Sequence, residues 1–459
     1  MTSKYLYTFF LQHPVISTDT RNIAENSLFF ALKGENFDAN QFAAKALEAG
    51  AAYVVIDNPE YKINERYILV DDVLTTLQGL AKYHREQLSI PVIGLTGTNG
   101  KTTTKELLNS VLSQHFNTLA TKGNLNNHIG VPLSLLAINK SHEIAIIEMG
   151  ANHQKEIELL CSIAQPTHGL ITNVGKAHLE GFGGVEGVKK GKGELYDYLS
   201  KSESPKVRKY ESEEITGAVF VNSDSAALLE MQQARSLQNV IFYGTNNIDN
   251  LIDGHLLENS PFLSLEWTNN DTAATHFVKT QLTGAYNLDN ILAAICIGVY
   301  FKLTDDEINK GIECYQPKNN RSQIELTKTN ILICDFYNAN PSSMIAAIEN
   351  IGNLDAKRKV LILGDMFELG KESVAEHEAI IKKTLEAPVD ERIFIGKCFI
   401  EAGAKVRKST IKKDILRRSM FYETADDAIN SLKDKPIKDS MILIKASRGM
   451  VLERLVTLF

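Results

Sequence analysis

A glycine-rich stretch close to residue 100 constrains this chain more than any other feature. It reads Gly94-Leu95-Thr96-Gly97-Thr98-Asn99-Gly100-Lys101-Thr102-Thr103-Thr104 and follows a short apolar run, Pro91-Val92-Ile93. Apolar residues then recur at helical spacing through residues 107–112, so the pattern predicts a strand, a tight turn and a helix. Backbone N–H groups in such a turn favour anions, Lys101 adds a charge for the outer phosphates, and the Thr102 hydroxyl can hold Mg2+. The stretch predicts a nucleotide-phosphate loop, although Leu95 stands where the strict G-x4-G-K-[ST] motif has its first glycine.

The length and composition limit what the rest of the chain can be. At 459 residues, a prior of about 150 residues per domain suggests three domains, and 44% apolar with 23% charged residues is typical of a globular protein. The net charge of −7, without any basic block, predicts that nucleic acid is not a partner. No apolar run approaches about 18 residues, which predicts no membrane insertion. The five cysteines are scattered, as in a reducing compartment, so we expect a cytoplasmic protein.

Residues 1–88 predict a small α/β domain that has no phosphate loop of its own. Residues 27–32 and 52–56 have the apolar runs of strands, and residues 42–49 have the pattern of a helix. The apolar residues 5–11 lack a cleavage site and are predicted as the first helix of the domain rather than a signal peptide. The polar cluster Asp19-Thr20-Arg21 lies in a predicted loop, where residue types alone favour capping and surface ion pairing.

Residues 89–316 predict a central domain in which two strands deliver polar residues to one edge. Residues 144–147 form an unbroken apolar strand that ends at Glu148, and a strand at residues 169–174 is followed by His178. Open α/β sheets bind ligands at the carboxyl ends of their strands. Glu148 could there hold the Mg2+ that accompanies ATP, or it could be a solvent-facing strand end. His178 could be a ligand or a structural histidine.

Other groups in the central domain leave alternatives open. The asparagines of residues 124–127 offer neutral donors and acceptors to a ligand, or serve turn chemistry alone. Asn287 and Asn290 lie three apart on one helix face, where they could read an adenine edge or cap the helix. A helix predicted at residues 185–199 carries lysines at 189, 190 and 192, and composition singles out none of them. Residues 200–280, with β-type runs at 218–221 and 262–265, predict an antiparallel extension of the sheet.

Residues 317–459 predict a third, Rossmann-like domain. Four apolar strands, at residues 331–333, 360–363, 393–395 and 441–444, alternate with helices, which argues for a parallel sheet. Each strand ends in polar residues, namely Asp335, Gly364-Asp365, Gly396-Lys397 and Lys445-Ala446-Ser447-Arg448. Polar residues collected along one sheet edge suggest a binding face.

Taken together, these stretches resemble those of the ATP-dependent Mur ligases over nearly the whole chain. The matching stretches are residues 19–21, 29–35, 96–103, 123–132, 148–153, 178–183, 337–341, 363–370 and 445–450. Three of them, Leu32-Lys33-Gly34-Glu35, Tyr337-Asn338-Ala339-Asn340-Pro341 and Gly364-Asp365-Met366-Phe367-Glu368-Leu369-Gly370, are most similar to the members that join D-alanyl-D-alanine to UDP-N-acetylmuramoyl-tripeptide.

The resemblance implies an architecture and an activity. It implies an N-terminal domain for the UDP substrate (residues 1–88), a central ATP-binding domain (89–316) and a C-terminal domain for D-Ala-D-Ala (317–459), acting as a monomer. It implies that ATP activates the tripeptide carboxylate as an acyl phosphate, with two Mg2+ ions present. In the family, a helix lysine after the histidine loop becomes N-carboxylated, and the Val-x-Lys-x-Lys-Gly-Glu pattern matches that lysine to Lys192.

The resemblance also implies roles for individual residues. Lys101, Glu148, His178 and Lys192 are the implied catalytic residues, and the implied metal ligands are Thr102 and Glu148 for one Mg2+, with His178 and carboxylated Lys192 for the other. The implied nucleotide contacts are Gly97, Thr98, Asn99, Gly100, Lys101, Thr102, Thr103, Asn287, Asn290, Arg321, Asp335 and Asn338. The implied substrate contacts are Asp19, Thr20, Arg21, Lys33 and Gly34 at the uridine nucleotide, Asn126 and Asn127 at the muramoyl peptide, and Lys445 and Ser447 in the C-terminal domain.

Two other functions fit the phosphate loop alone. One is a ligase similar to folylpolyglutamate synthases, and the other is a regulatory switch that hydrolyses nucleotide to change partners. A switch needs no third sheet with a polar edge of its own and would release phosphate without an amine acceptor.

Overall fold

The computed structural model describes residues 2–201, 217–318, 320–409 and 413–459. Its strands form a four-stranded, a nine-stranded and a six-stranded sheet in succession along the chain, together with a two-stranded ribbon. Helices pack against all three large sheets, so the chain has the predicted α/β architecture. Within the described residues, no helix is both long and apolar enough to cross a membrane.

The N-terminal unit is a parallel sheet with helices and a small ribbon. Its elements are α1 (Ser3–Gln12), β1 (Ile16–Ser17), β2 (Leu28–Phe30), β3 (Lys33–Gly34), β4 (Phe37–Asp38), α2 (Ala43–Glu48), β5 (Tyr53–Ile56), β6 (Tyr67–Leu69) and α3 (Val73–Glu86). The sheet has the parallel order β1-β2-β5-β6, whereas β3 and β4 pair antiparallel. Thr2 and Asp72 cap α1 and α3 through their side chains. The predicted first helix, second helix and two strands are confirmed.

Residues of α3 connect the N-terminal unit to the central unit through hydrogen bonds and apolar packing. His84 Nε2 lies 2.9 Å from the carbonyl oxygen of Ile138, and the buried Arg85 Nε donates to the carbonyl of Ala164 at 3.1 Å. Leu80 of α3 also belongs to the same buried apolar cluster as Val131 of the central unit. The first two units therefore share one hydrophobic core.

The central unit contains the nine-stranded sheet. Its elements are β7 (Val92–Thr96), α4 (Lys101–Leu112), β8 (Thr118–Ala120), α5 (Gly130–Leu136), β9 (Ile144–Glu148), α6 (Glu156–Ala164), β10 (His168–Ile171), α7 (Leu179–Phe182), α8 (Val185–Lys201), β11 (Val219–Asn222), α9 (Ala226–Gln233), β12 (Val240–Gly244), β13 (Asn250–Glu258), β14 (Ser264–Asn269), β15 (Ala274–Lys279), α10 (Leu288–Tyr300) and α11 (Asp305–Cys314). The strand order is β15-β14-β13-β12-β11-β10-β7-β9-β8.

The antiparallel extension is shorter than the sequence predicted. Only β13, β14 and β15 pair antiparallel, whereas β11 and β12 continue the parallel part of the sheet. The prediction was wrong for residues 218–221. α8 precedes β11 and α9 follows it, and helical connections of this kind join parallel strands. Residues 202–216, which belonged to the same predicted segment, lie outside the described residues.

The C-terminal unit is a six-stranded sheet with its own cores. Its elements are β16 (Gln323–Leu326), β17 (Asn330–Asp335), α12 (Pro341–Asn353), β18 (Lys359–Gly364), α13 (Ser373–Glu386), β19 (Glu391–Ile395), α14 (Lys397–Ser409), α15 (Lys413–Arg417), β20 (Met420–Tyr422), α16 (Ala425–Asp434) and β21 (Ser440–Lys445). The order is β16-β17-β21-β18-β19-β20, with only β16 antiparallel. The four predicted strands are confirmed, and the edge strands β16 and β20 are additions.

Candidate active site

A cavity of about 670 Å³ lies between the central and C-terminal units. The central unit lines it with the phosphate loop, the start of α4, the Asn124–His128 loop and the ends of β9 and β10. The C-terminal unit lines it with residues around β17, the first turn of α12 and the end of β21. The carboxyl edges of two sheets thus face each other across one space, which is the position where parallel sheets bind ligands.

The phosphate loop has the predicted strand, turn and helix. Gly100 has φ of +77°, and a Cβ added to it would lie 2.6 Å from Oδ1 of Asn290, so only glycine fits this turn. α4 begins at Lys101, and the free N–H groups of its first turn favour a bound anion. Lys101 Nζ donates to the carbonyls of Gly97 and Thr98 at 2.8 and 3.1 Å. Burial lowers the pKa of Lys101 to about 8, although nearby Glu148 raises it.

Glu148 is a buried carboxylate with neutral partners. It ends β9 with 1% of its surface exposed. Thr102 Oγ1 donates to it at 3.0 Å, and Nδ2 of Asn126 donates to Oε1 at 2.8 Å. Within the described residues it forms no ion pair, so its negative charge is left for a cation that enters the cavity. A carboxylate beside a hydroxyl also offers the oxygen ligands that Mg2+ prefers, so the pair fits a magnesium ion.

His178 lies at the cavity just before α7, with φ of +50°. Its Nδ1 is buried and has no hydrogen-bond partner of good geometry in the described part of the chain. The polar atom that Nδ1 faces is Oε2 of Glu368, which belongs to the C-terminal unit and lies 2.5 Å away, at ion-pair distance. The ring is thus held between the two units.

Lys192 is buried within α8 instead of lining the cavity. Its Nζ donates to the carbonyl of Ala151 at 3.2 Å and lies 5.1 Å above the ring of Phe182. Ala151 itself lines the cavity, so the Lys192 amine lies directly behind a residue of the cavity wall. Burial, with Lys101 nearby, lowers the pKa of Lys192 well below its ordinary value. Burial of the amine thus favours its neutral form over the ammonium. Lys189 is paired with Glu230 and Lys190 is exposed.

Asn287 and Asn290 brace α10 against α4. Thr104 Oγ1 donates to Asn290 Oδ1 at 2.9 Å, and Asn290 Nδ2 donates to Asn287 Oδ1 at 2.9 Å. Neither side chain caps the helix, so that alternative was wrong. Both residues line the cavity, as a nucleotide contact requires.

The C-terminal wall combines two cations, an acid and an aromatic ring. The Arg321 guanidinium stacks over the ring of Tyr337 at 3.8 Å, and its Nε is buried without a hydrogen-bond partner in the described structure. Lys445 Nζ donates to Asp335 Oδ2 at 2.7 Å and to the carbonyl of Asn338 at 3.3 Å. All five residues line the cavity. A flat ring backed by a guanidinium, next to a carboxylate, suits a base and a ribose hydroxyl.

The remaining predicted residues lie apart from this wall or have other contacts. Asn127 lines the cavity, but its Oδ1 accepts from Gly130 N and so supports the start of α5. Ser447 is buried and does not line the cavity. Gly97 packs directly against Thr172.

The predicted uridine residues belong to the N-terminal unit and do not line the cavity. Arg21 pairs with Asp19 at 2.6 Å on the surface, which confirms the ion pairing expected from residue types. Lys33 pairs with Asp57 at 2.8 Å, and Thr20 and Gly34 lie in the neighbouring turn and ribbon.

Several cavity residues were not assigned a role from the sequence. Asn173 Oδ1 accepts from the N–H of Asn99, and Tyr286 hydrogen-bonds Ser322 at 2.8 Å. Asn340 and Ser342, at the start of α12, hydrogen-bond the side chain of Asn99. In the sequence, only their positions could have indicated a role at the cavity. Asn173 follows an apolar strand, and Asn340 lies in the Asn-Ala-Asn-Pro stretch.

Comparison with known proteins gives matches along the whole chain. Three family models match successive segments: Mur ligase family, catalytic domain (residues 14–85), Mur ligase middle domain (95–298) and Mur ligase, glutamate ligase domain (320–448). A UDP-N-acetylmuramoyl-tripeptide--D-alanyl-D-alanine ligase of Bacillus subtilis (strain 168) is 35% identical over 446 residues, covering 96% of this chain and 92% of that protein.

Solved structures agree with these matches. A crystal structure of MurF from Acinetobacter baumannii superposes with a TM-score of 0.83 at 28% identity, covering 99% of this chain and 98% of the other. A MurF ligase from Thermotoga maritima in complex with ADP superposes with a TM-score of 0.80 at 25% identity, covering 98% and 97%. The similarity extends through all three units.

Proposed function

This chain belongs to the Mur ligase family, and we propose that it joins D-alanyl-D-alanine to UDP-N-acetylmuramoyl-tripeptide at the expense of ATP. The products are UDP-N-acetylmuramoyl-pentapeptide, ADP and phosphate, and the reaction belongs to peptidoglycan precursor synthesis. One structural observation supports a ligase: a phosphate loop and a buried carboxylate without an ion-pair partner in the described residues face the polar edge of a second sheet across one cavity. A regulatory switch would not need that second edge.

In the first step, the terminal carboxylate of the tripeptide attacks the γ-phosphate of ATP and ADP leaves. The N–H groups at the start of α4 hold the phosphates, and Lys101 neutralises charge on the transferring group. For this the ammonium must turn from the carbonyls of Gly97 and Thr98 towards the phosphates. Asn287, Asn290, Arg321, Asp335 and Asn338 surround the adenosine.

Two Mg2+ ions fit the residues at hand. Thr102 and Glu148 would hold one, and His178 with an N-carboxylated Lys192 would hold the other. The ions supply positive charge to the phosphate oxygens. The buried contact between Thr102 and Glu148 supports the first assignment. The amine of Lys192 is buried, its pKa is lowered by that burial, and it donates to the carbonyl of Ala151, which supports a carbamate. A carboxylated lysine offers oxygen ligands where an ammonium offers none.

In the second step, the amine of D-Ala-D-Ala attacks the acyl phosphate and phosphate leaves. Residues 317–459, with Lys445 and Ser447, receive the dipeptide, and residues 89–316 hold ATP. Residues 1–88 hold the UDP end through residues 19–21, 33 and 34, and Asn126 and Asn127 meet the muramoyl peptide. Closure of the C-terminal unit over the cavity shields the acyl phosphate from water. The five free cysteines suit the reducing cytoplasm, and we propose that the enzyme acts there as a monomer.

Release of ADP by the purified chain tests the proposal. We expect little release with ATP alone, and strong release only when UDP-N-acetylmuramoyl-tripeptide and D-Ala-D-Ala are both present. Stimulation by a folate substrate and glutamate would instead support a folylpolyglutamate synthase. Release that neither peptide substrate stimulates would contradict the ligase.

A further inference from the structure

The contact between His178 and Glu368 joins the two halves of the active site. His178 precedes α7 in the central unit, and Glu368 follows β18 in the C-terminal unit. Nδ1 of the histidine lies 2.5 Å from Oε2 of the glutamate. The histidine side chain is 22% exposed and the glutamate side chain 57% exposed, so the carboxylate reaches in from the rim of the cleft.

The loop that carries His178 rests on the C-terminal unit. Lys176 pairs with Glu376 of α13 at 2.8 Å. A Cβ on Gly370 would lie 3.1 Å from the carboxyl carbon of Glu180, so the two loops are closely packed on the other side of His178 as well. The direction of the imidazole ring therefore depends on contacts made by the C-terminal unit.

The loop that carries Glu368, in contrast, is held firmly by its own unit. The N–H of Met366 donates to His377 Nε2 at 3.0 Å, and the N–H of Phe367 donates to Ser447 Oγ at 2.9 Å. Both carboxylate oxygens of Asp365 accept N–H groups at the start of α14. Glu368 itself has φ of +62°, a conformation that a non-glycine residue keeps only when its surroundings enforce it. The loop thus fixes the backbone from which the Glu368 side chain extends.

We propose that Glu368 is a positioning residue that orients His178 towards the cavity, and that it acts only when the C-terminal unit is docked. This inference rests on the proposed function, in which His178 is a magnesium ligand. A carboxylate that accepts a hydrogen bond from the N–H of one ring nitrogen fixes the tautomer and leaves the other nitrogen as the ligand. Lys445 and Ser447, the proposed dipeptide residues, lie on the same unit, so docking of the acceptor domain completes the site at which the acyl phosphate forms.

If the contact between His178 and Glu368 were only an ion pair, the expected result would be different. A partly exposed pair of this kind contributes about 0–1 kcal/mol to stability and does not affect a metal ligand. Lys176 and Glu376 provide the matched control, because they form an ion pair across the same interface without touching the histidine. Glu376→Gln should therefore reproduce any general weakening of docking.

The experiment compares the full-length wild type with Glu368→Ala, Glu368→Gln and Glu376→Gln. The first readout is the Mg2+ concentration that half-saturates ADP release with both substrates present. Loss of the partner of a metal-binding histidine lowers metal affinity about 10- to 100-fold, so Glu368→Ala should raise this concentration by that factor. Glu368→Gln, which keeps an acceptor oxygen, should raise it less, and Glu376→Gln should change it by about twofold or less.

The second readout is independent of catalysis. Nitrogen-15 spectra of labelled histidines, assigned with His178→Gln, report the tautomer of His178 in the absence of substrates. We expect a single tautomer in the wild type and in Glu376→Gln, and a mixture in Glu368→Ala. An active wild type whose His178 signals and Mg2+ requirement are the same in Glu368→Ala would overturn the role of Glu368. A wild type without any ligase activity would overturn the proposed function instead.

Discussion

The side chains of Asn99, in the phosphate loop, and Asn340, at the N-cap of α12, form an amide–amide hydrogen bond of 2.8 Å between residues 241 positions apart. The other end of the Asn99 amide donates to Ser342 Oγ at 2.8 Å. The residue that shapes the phosphate loop is therefore also a contact for the acceptor unit. We therefore expect nucleotide binding and docking of the C-terminal unit to be coupled through Asn99.

Asn340→Ser tests this contact without removing the helix cap. Serine is a good N-cap residue, so α12 should keep its first turn, but the amide donor to Asn99 is lost. One hydrogen bond contributes about 0.5–1.5 kcal/mol, so we expect kcat/KM for D-Ala-D-Ala to fall roughly 2- to 13-fold with little change in Tm. The control, Ser343→Ala, removes a reciprocal bond of the capping box and should lower Tm instead. Unchanged kinetics in Asn340→Ser would contradict the coupling.

The sequence predicted those parts of the site that local pattern and sheet topology determine. A strand before the loop, a helix after it and an acid at the end of a neighbouring strand are enough to bring Thr102 and Glu148 together. Both residues lie at the carboxyl edge of adjacent parallel strands, β7 and β9, and this edge is common to any such sheet.

Contacts across the cavity could not be predicted in the same way. The hydrogen bond between Asn99 and Asn340 and the ion-pair contact between His178 and Glu368 depend on how two sheets dock. No local periodicity in the sequence carries that information. The parallel direction of β11 was missed for a related reason, because a short apolar run does not show which neighbour it will pair with. β16 was missed because Gln323–Leu326 has only four residues, so its alternation of polar and apolar residues does not stand out from a loop.

Gly100→Ala should impair nucleotide binding. Alanine at φ of +77° is strained, and its Cβ would collide with the Asn290 amide that braces α10. A strain of about 1–3 kcal/mol corresponds to a loss of roughly 5- to 150-fold in ADP affinity, measured by calorimetry. Gly183→Ala is the control, since it has a similar φ of +73° but no atom within 4 Å of the added Cβ. That variant should lose some stability and keep its ADP affinity. An ADP affinity equal to the wild type in Gly100→Ala would show that the turn tolerates a side chain.

Acidification should weaken the junction between the N-terminal and central units through His84. Burial lowers the pKa of His84 below its ordinary 6.5, more than its hydrogen bond to the Ile138 carbonyl raises it. Below pH 6.5 the unfolded chain therefore binds a proton that the folded chain does not, and stability falls with falling pH until the folded group also titrates. The slope contributed by one such group is at most about 1.4 kcal/mol per pH unit.

His84→Gln isolates this contribution. The amide can still reach the Ile138 carbonyl but cannot titrate, so the free energy of unfolding should depend less on pH between 5 and 7 than in the wild type. Chemical denaturation at several pH values measures both slopes, and the other histidines contribute equally to the two proteins. Identical slopes would mean that His84 takes up its proton without opening the junction.

Lys192→Ala should abolish ligase activity, and added bicarbonate should not restore it. Lys192 has a buried amine beside the Ala151 carbonyl, and burial lowers its pKa, which favours the unprotonated form that reacts with carbon dioxide. The carbamate, unlike the amine, offers oxygen ligands to a cation at the cavity wall. Carbon-13 spectra of protein equilibrated with labelled bicarbonate should show a carbamate signal in the wild type and none in Lys192→Ala. The activity of carbon dioxide-depleted wild type should return when bicarbonate is added.

Lys190→Ala is the matched control for this change. Lys190 lies on the same helix but is exposed, so its ammonium stays charged and solvated and has no reason to be carboxylated. The variant should keep the carbamate signal and nearly full activity. Short carboxylic acids, which can enter the space left by the lysine and supply oxygen ligands, should partly restore Lys192→Ala while leaving Lys190→Ala unchanged. Substantial activity in Lys192→Ala without any added acid would show that the buried amine only fills space behind Ala151, and that the cation is held by the remaining ligands.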